Sequence, residues 1–278
     1  MDSDNRNFFA TTSLTDVTLR VRGLDRMLAF YRDQVGLREI GRRGPAVDLS
    51  ATGKAPALVT LVEASGGPSP TPAAASLFHL AILLPGRAEL GTVIRRLINR
   101  GVILEGAADH GVSEAFYLSD PEGNGVELYC DKPSYLWPLA GDQVAMVTEA
   151  LDHQAILSLG RPDSPNAPLP ADTRIGHVHL SVSDLPAVEK LFVGTLGLTV
   201  RQRNFPGALF FAHDGYHHHL AANTWGGTRR LSANGLGLAS FTLHHTPSPL
   251  QPGSNPAPLT AAGLALSFGG EAVTMAPA

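Results

Sequence analysis

Val17-Thr-Leu-Arg-Val-Arg-Gly-Leu24 and Val178-His-Leu-Ser-Val-Ser-Asp-Leu185 decide the fold. Each stretch alternates apolar with polar side chains, the period of a strand with one buried face. Each then changes to a helical period. Leu24, Leu28, Tyr31 and Val35 share one face of the first predicted helix, and Leu185, Val188, Phe192 and Leu196 share one face of the second. Both helices close on Gly-Leu, at Gly36-Leu37 and Gly197-Leu198, where glycine suits the left-handed residue past a helix end. The offset is 161 residues throughout, without a gap, so the chain contains an internal duplication.

Working outward, a weaker echo begins at Phe78. His79–Leu84 reads as a strand, and Ala88–Arg100 as a helix with Leu90, Val93, Ile94 and Leu97 as its stripe, ended by Gly101. A last echo, Ala239–His244, is a strand followed by Pro/Ser-rich sequence. The chain therefore reads as four βαβββ-like units, the last degenerate. Ser65–Ala75 is a Gly/Pro/Ala-rich connector, Pro133–Pro170 crosses from one pair of units to the next, and Thr246–Pro258 is a loop. Asp120-Pro-Glu-Gly-Asn-Gly125 is a turn between strands Ala115–Ser119 and Val126–Cys130.

Composition narrows the class. At 278 residues the chain is long enough for two domains, and 44% apolar with 17% charged residues fits a globular protein. The net charge of −4 and the lack of a basic run leave no footprint for nucleic acid or anionic membrane. A single cysteine, Cys130, excludes an intrachain disulfide and a multi-cysteine zinc site, and its apolar strand setting marks it as a core residue. Met1–Thr12 lacks the basic and apolar regions of a signal peptide, and no apolar run is long enough to span a membrane, so a cytoplasmic location is expected.

The helix pattern at Leu24–Leu37, followed by D-P-E-G-N-G-x-E-L-Y at Asp120–Tyr129, resembles the vicinal oxygen chelate superfamily of glyoxalases, bleomycin-resistance proteins and extradiol dioxygenases. Asp109–Tyr117, leading into that turn, is similar to the two-domain catechol 2,3-dioxygenase-like branch, as are Gly215–His219 and Asn223–Trp225. The resemblance covers about residues 13–245. It implies an α+β fold in which tandem βαβββ modules form two curved mixed β-sheet domains. The first domain spans 13–132, from modules 13–64 and 76–132; a linker spans 133–172; the second domain spans 173–277.

The resemblance also implies a divalent metal, Fe(II) or Mn(II), on a concave sheet face. The first-domain positions matching its ligands are Asp16, His79 and Glu127, with His110 and Tyr117 as acid–base groups beside them. Two neutral imidazoles and one carboxylate on one face of an octahedral ion leave three positions open, as in non-haem Fe(II) oxygenases. The family has histidine where Asp16 stands, whereas the duplicated copy has His177 there. His177 with His217, His218 and His219 offers a second candidate site; in a strand, His217 and His219 would share a face. Each residue also has a plainer reading: Asp16 as a turn residue, His79 as a core or surface histidine, Glu127 facing solvent, Trp225 and Asn223 as packing and turn residues.

Three functions are compatible with this reading. The first is a metal-dependent ring-cleaving dioxygenase acting on a small catechol-type aromatic. The second is a metal-free small-molecule binding or resistance protein. The third is an isomerase or lyase working through a metal-stabilised enolate, which two carboxylates on a hard cation would suit. The expected partner in each case is a small aromatic molecule, and a homodimer is an assembly this architecture often forms.

Overall fold

The computed structural model describes residues 7–64, 75–162, 167–225, 236–245, 259–261, 264–269 and 272–277. Each duplicated stretch forms the strand and helix its periodicity predicts. Strand Thr12–Val21 leads into an α-helix, Leu24–Leu28, that continues as a π-helical segment, Ala29–Val35. Leu28, Tyr31 and Val35 are buried, and Gly36 takes φ +107° at the helix end. Strand Arg174–Val182 leads into helix Leu185–Gly194, whose first turn is capped by the Asp184 carboxylate accepting from the Ala187 amide. Strand Ala75–Leu83 and helix Arg87–Asn99 form the third such pair.

The fourth unit begins with strand Gly237–His245 and continues as strands Leu259–Ala261, Leu264–Gly269 and Ala272–Pro277, with no helix among the described residues. The expected connector (residues 65–74) and the expected loop Thr246–Pro258 lie outside the described residues.

The four first strands lie side by side in one mixed sheet, in the unit order four, one, three, two. Units one and four pair antiparallel from Thr12↔His245 to Arg20↔Gly237. Units two and three pair antiparallel from Arg174↔Leu83 to Val182↔Ala75. The joint between units one and three is a single register pair, Leu14↔Ile175. Units one, two and three each lay a later strand parallel to their first strand: Val59–Glu63, Gly125–Asp131 and Leu220–Asn223 respectively. The fold is thus α+β, and its units pair across the two halves of the chain.

Strand alternation sorts the side chains of the unit two–three sheet. Leu80, Ile82, Val126, Leu128, Val178 and Leu180 join the main apolar core with helix residues such as Leu90, Ile94, Val188 and Phe192. The opposite face carries His79, Ala81, Glu127, Tyr129, His177 and His179, all buried. Cys130 is buried in the main core, and burial pushes its thiol up to about 12, so it is unreactive in the folded state.

The Asp120–Gly125 turn ties unit two to unit one. The Asp120 carboxylate accepts from the Glu122 and Asn124 amides, the Asn124 side chain and the Tyr31 hydroxyl. Glu122 accepts from the Arg22 and Gly23 amides where the first helix begins. In the crossing segment, helix His153–Leu159 packs so closely on helix Arg87–Asn99 that a methyl group on Gly91 would run into the Ile156 carbonyl. Gly91→Ala is therefore expected to destabilise the protein by about 1–3 kcal/mol, read as a lowered denaturant midpoint. An unchanged midpoint would refute this close helix contact.

Candidate metal centre

Sheet register assembles the site around Ala81. Across the antiparallel ladder Ala81 faces His177, and across the parallel ladder it faces Glu127. His79 lies two residues before Ala81 on the same face, and Tyr117 faces Glu127 across the next hairpin. The small Ala81 side chain leaves the space above it to the larger groups.

Three donor atoms converge there. His79 Nε2 and Glu127 Oε2 are 2.9 Å apart, His177 Nε2 and Glu127 Oε2 3.0 Å, and the two Nε2 atoms 3.2 Å. Ligands at right angles about 2.1 Å from a cation lie about 3.0 Å apart, so this triangle has the size of one face of an octahedral ion. The protonation states also fit. Burial pushes His177 down to about 4 against the pull of Glu127, leaving a neutral imidazole. Burial alone would raise the Glu127 carboxyl, but His177 and His79 outweigh it and hold it well below the usual range. A neutral His177 imidazole and an ionised Glu127 carboxylate are forms a divalent cation binds.

The sequence-predicted residues divide. The structure brings His79 and Glu127 together, and His110 and Tyr117 stand beside them. It does not bring Asp16. That residue pairs with Thr242 of unit four, is half-buried, and accepts a hydrogen bond from Thr15. Asp16, expected from sequence among the three, lies apart from His79 and Glu127, and the third member of the cluster is His177, its duplicate. The reason is topological: the strand beside unit two comes from unit three, not from unit one.

The His217–His219 run is also corrected. It is a loop before strand Leu220–Asn223 rather than strand, so its side chains do not alternate. His217 Nε2 lies 2.8 Å from the Asp131 carboxylate, His218 lies over the His177 ring with centroids 4.1 Å apart, and His219 packs edge-on to Phe9.

The triad opens into a cavity of about 400 Å³ walled by Phe78, Phe205, Phe210, Met146 and Trp225. Phe78 and Trp225 are 40% and 46% exposed. His179 and His218 line it too, and burial holds both far below the ordinary imidazole range, so they are neutral. Asn223 Nδ2 donates to His179 Nε2 at 3.0 Å. Trp225 and Asn223, read from sequence as packing and turn residues, thus belong to the wall and its support. The signal for His179 was present in the alternation His177-Val-His179; His218 was named from sequence in a candidate second-domain site, and the structure places it in a loop on the wall of this cavity.

On the opposite wall, His110 Nδ1 lies 2.7 Å from the Val147 carbonyl. A carbonyl only accepts, so Nδ1 carries a proton, and Nε2 lies 2.6 Å from the Tyr117 hydroxyl, which also hydrogen-bonds the Glu127 carboxylate. Burial, with the Glu127 charge added, raises the Tyr117 phenol well above its ordinary range and keeps it protonated.

Behind His177, the Tyr129 hydroxyl fills the space a side chain at Gly176 would occupy and lies 3.0 Å from the Tyr216 hydroxyl. Gly176→Ala is expected to displace Tyr129 and cost about 1–3 kcal/mol of stability, measured by denaturant unfolding. An unperturbed variant would contradict the close approach.

Comparisons with known proteins place this arrangement. Residues 13–128 match the model of the Glyoxalase/Bleomycin resistance protein/Dioxygenase superfamily. A Bacillus subtilis (strain 168) protein named catechol-2,3-dioxygenase is 38% identical over 234 residues, 82% of this chain and 81% of that protein. A Rhodococcus globerulus protein named biphenyl-2,3-diol 1,2-dioxygenase 3 is 31% identical over 123 residues, 44% of this chain and 64% of its own length. The crystal structure of a dioxygenase candidate from Bacillus subtilis shares the fold at 13% identity, with a TM-score of 0.57 over 83% of this chain and 69% of that one. With its duplicated βαβββ units, its His/His/Glu triad and a relative of this identity along most of its length, the chain belongs to the glyoxalase/bleomycin resistance/dioxygenase superfamily.

Proposed function

We propose that this protein is a divalent-metal-dependent extradiol dioxygenase that cleaves the ring of a small catechol-type aromatic. The observation that supports this most is the convergence of His79, Glu127 and His177 on one point at the floor of an aromatic-walled cavity. The names of the two relatives agree with it. Two imidazoles and one carboxylate form the donor set of oxygen-activating non-haem Fe(II) sites. A pair of carboxylates, which would have suited enolate chemistry, is absent from the triad.

His79, Glu127 and His177 would hold Fe(II) or Mn(II), which when bound would supply the electron transfer between a catechol and O₂. The reaction needs no outside reductant: the catechol provides the electrons, one ring C–C bond beside the hydroxyls breaks, and both oxygen atoms enter the product. The chain's own residues do the rest. Phe78, Phe205, Phe210 and Trp225 bind the flat apolar ring and exclude water from it. Tyr117 holds a proton at its hydroxyl, shared with His110 Nε2, at the edge of the carboxylate ligand. His110 is fixed in one tautomer by the Val147 carbonyl, so that proton has a defined position near the oxygen atoms of the substrate. The cavity is larger than a single ring, which is consistent with a substituted catechol.

The test is metal analysis together with oxygen uptake. The native protein is expected to bind about one divalent metal per chain and to consume oxygen with catechols. His177→Ala, His79→Ala and Glu127→Ala are each expected to lose the metal and the activity, whereas Asp16→Ala retains both. Removal by a chelator abolishes uptake, and restoring Fe(II) or Mn(II) identifies the working ion. Stoichiometric metal in His177→Ala would eliminate this site, and catechol binding without oxygen uptake by the metal-loaded protein would favour a sequestering role.

A further inference from the structure

A second cavity, of about 340 Å³, opens at the seam between units one and three, whose first strands share only the register pair Leu14↔Ile175. Unit one lines it with Ser13, Leu14 and Thr15 of its first strand. Thr52, Lys54 and Leu58 follow from the connection between strands Ala46–Ser50 and Val59–Glu63. The entry to unit three supplies Asp172, Thr173 and Arg174, and Phe9 comes from the segment before unit one. None of these residues lines the metal cavity.

Its chemistry is that of an anion site with an apolar floor. Lys54 and Arg174 bring two positive charges and Asp172 one negative, which leaves one net positive charge. Among the described residues neither Lys54 nor Arg174 is ion-paired with a carboxylate. Arg174 stands instead over the Phe9 ring, its guanidinium carbon 4.9 Å from the ring centroid. Thr173 is 5% exposed, and its hydroxyl has no hydrogen-bond partner among the described residues. A buried hydroxyl left unpaired costs free energy, and an acceptor brought beside it removes that cost. Leu14, Pro56, Leu58 and Phe9 make much of the remaining wall apolar. A bare inorganic anion would use the charges and leave that wall unfilled; a small organic molecule uses both.

We propose that this seam cavity is a binding site for a small organic carboxylate, held at its anionic end by Lys54, Arg174 and the Thr173 hydroxyl and along its body by Phe9, Leu14 and Leu58. A carboxylate has lone pairs enough for all three donors, and its bonds to charged donors are the strong ones. Lys54 belongs to unit one and Arg174 to unit three. One bound anion therefore ties together two units whose first strands meet at a single register pair. A ligand that binds only the folded chain stabilises it by mass action, so occupancy is readable as stability. The site does not depend on the dioxygenase reading above.

The probe is benzoate, with benzamide as its uncharged counterpart, titrated into the ¹⁵N-labelled, metal-stripped full chain. Benzoate is expected to shift the amide resonances of Lys54, Thr173 and Arg174 saturably, and benzamide is not. Lys54→Gln and Arg174→Gln are each expected to weaken benzoate roughly tenfold, and added salt weakens it in the native chain. Trp225→Ala, on the wall of the metal cavity, leaves its affinity unchanged. Benzoate also raises the thermal midpoint of the native chain and raises that of Lys54→Gln less. Three results would each overturn the proposal: shifts confined to residues around Phe78 and Trp225, an equal response to benzamide, or native affinity in Lys54→Gln. Lys54 is exposed, so its variant decides the matter should Arg174→Gln fail to fold. Oxygen uptake with a catechol, present or absent, alters none of these readings.

Discussion

The register of one β-ladder governs this molecule. Strands Ala75–Leu83 and Arg174–Val182 run antiparallel, and strand Gly125–Asp131 runs parallel to the first of them. Because side chains alternate between faces, that register places His177, Glu127 and His79 around a single alanine, with nothing large between them. A slip of one residue in either ladder would send a ligand into the apolar core on the other side. The apolar residues that fill that core, Leu80, Ile82, Val126, Leu128, Val178 and Leu180, oppose such a slip. Packing on one face of the sheet therefore specifies the chemistry on the other.

Burying so many polar groups requires that they satisfy one another. Val147 orients His110, Asn223 orients His179, and Asp131 orients His217 and through it His218. Each cavity imidazole outside the ligand triad thus receives its orientation from a residue set back from the cavity.

Much of this was legible in the sequence where local rules apply. Gly36 and Gly197 closed their helices in the left-handed conformation, and the Asp120–Gly125 stretch formed its turn. His79 and Glu127 were identified from motif position, and the fold brings their side chains together. Asp16 and His177 hold equivalent places in duplicated units, and the residue type, histidine in the copy alone, was the one local sign that separated them. Which of the two lies beside His79 is decided by how units pair, a property of contacts about a hundred residues apart in the chain. His218 was named from the triple-histidine run, but its place on the cavity wall was not legible: its loop has no periodicity, and its ring is held by His217, which pairs with Asp131, 86 positions away.

Pairing unit one with unit four has a consequence for how the chain comes together during synthesis. The edge of strand Thr12–Val21 that meets Gly237–His245 has no full-length partner until almost the entire polypeptide has left the ribosome. The ladder that holds the triad, by contrast, has all its strands once residue 182 is available. The nascent protein can thus form the ladder under the triad first, while its earliest described strand waits, half-paired, for one of its latest. Chaperone protection of that early edge, and the slow kinetics of high contact order, are the expected cost of closing the sheet from the two ends of the chain.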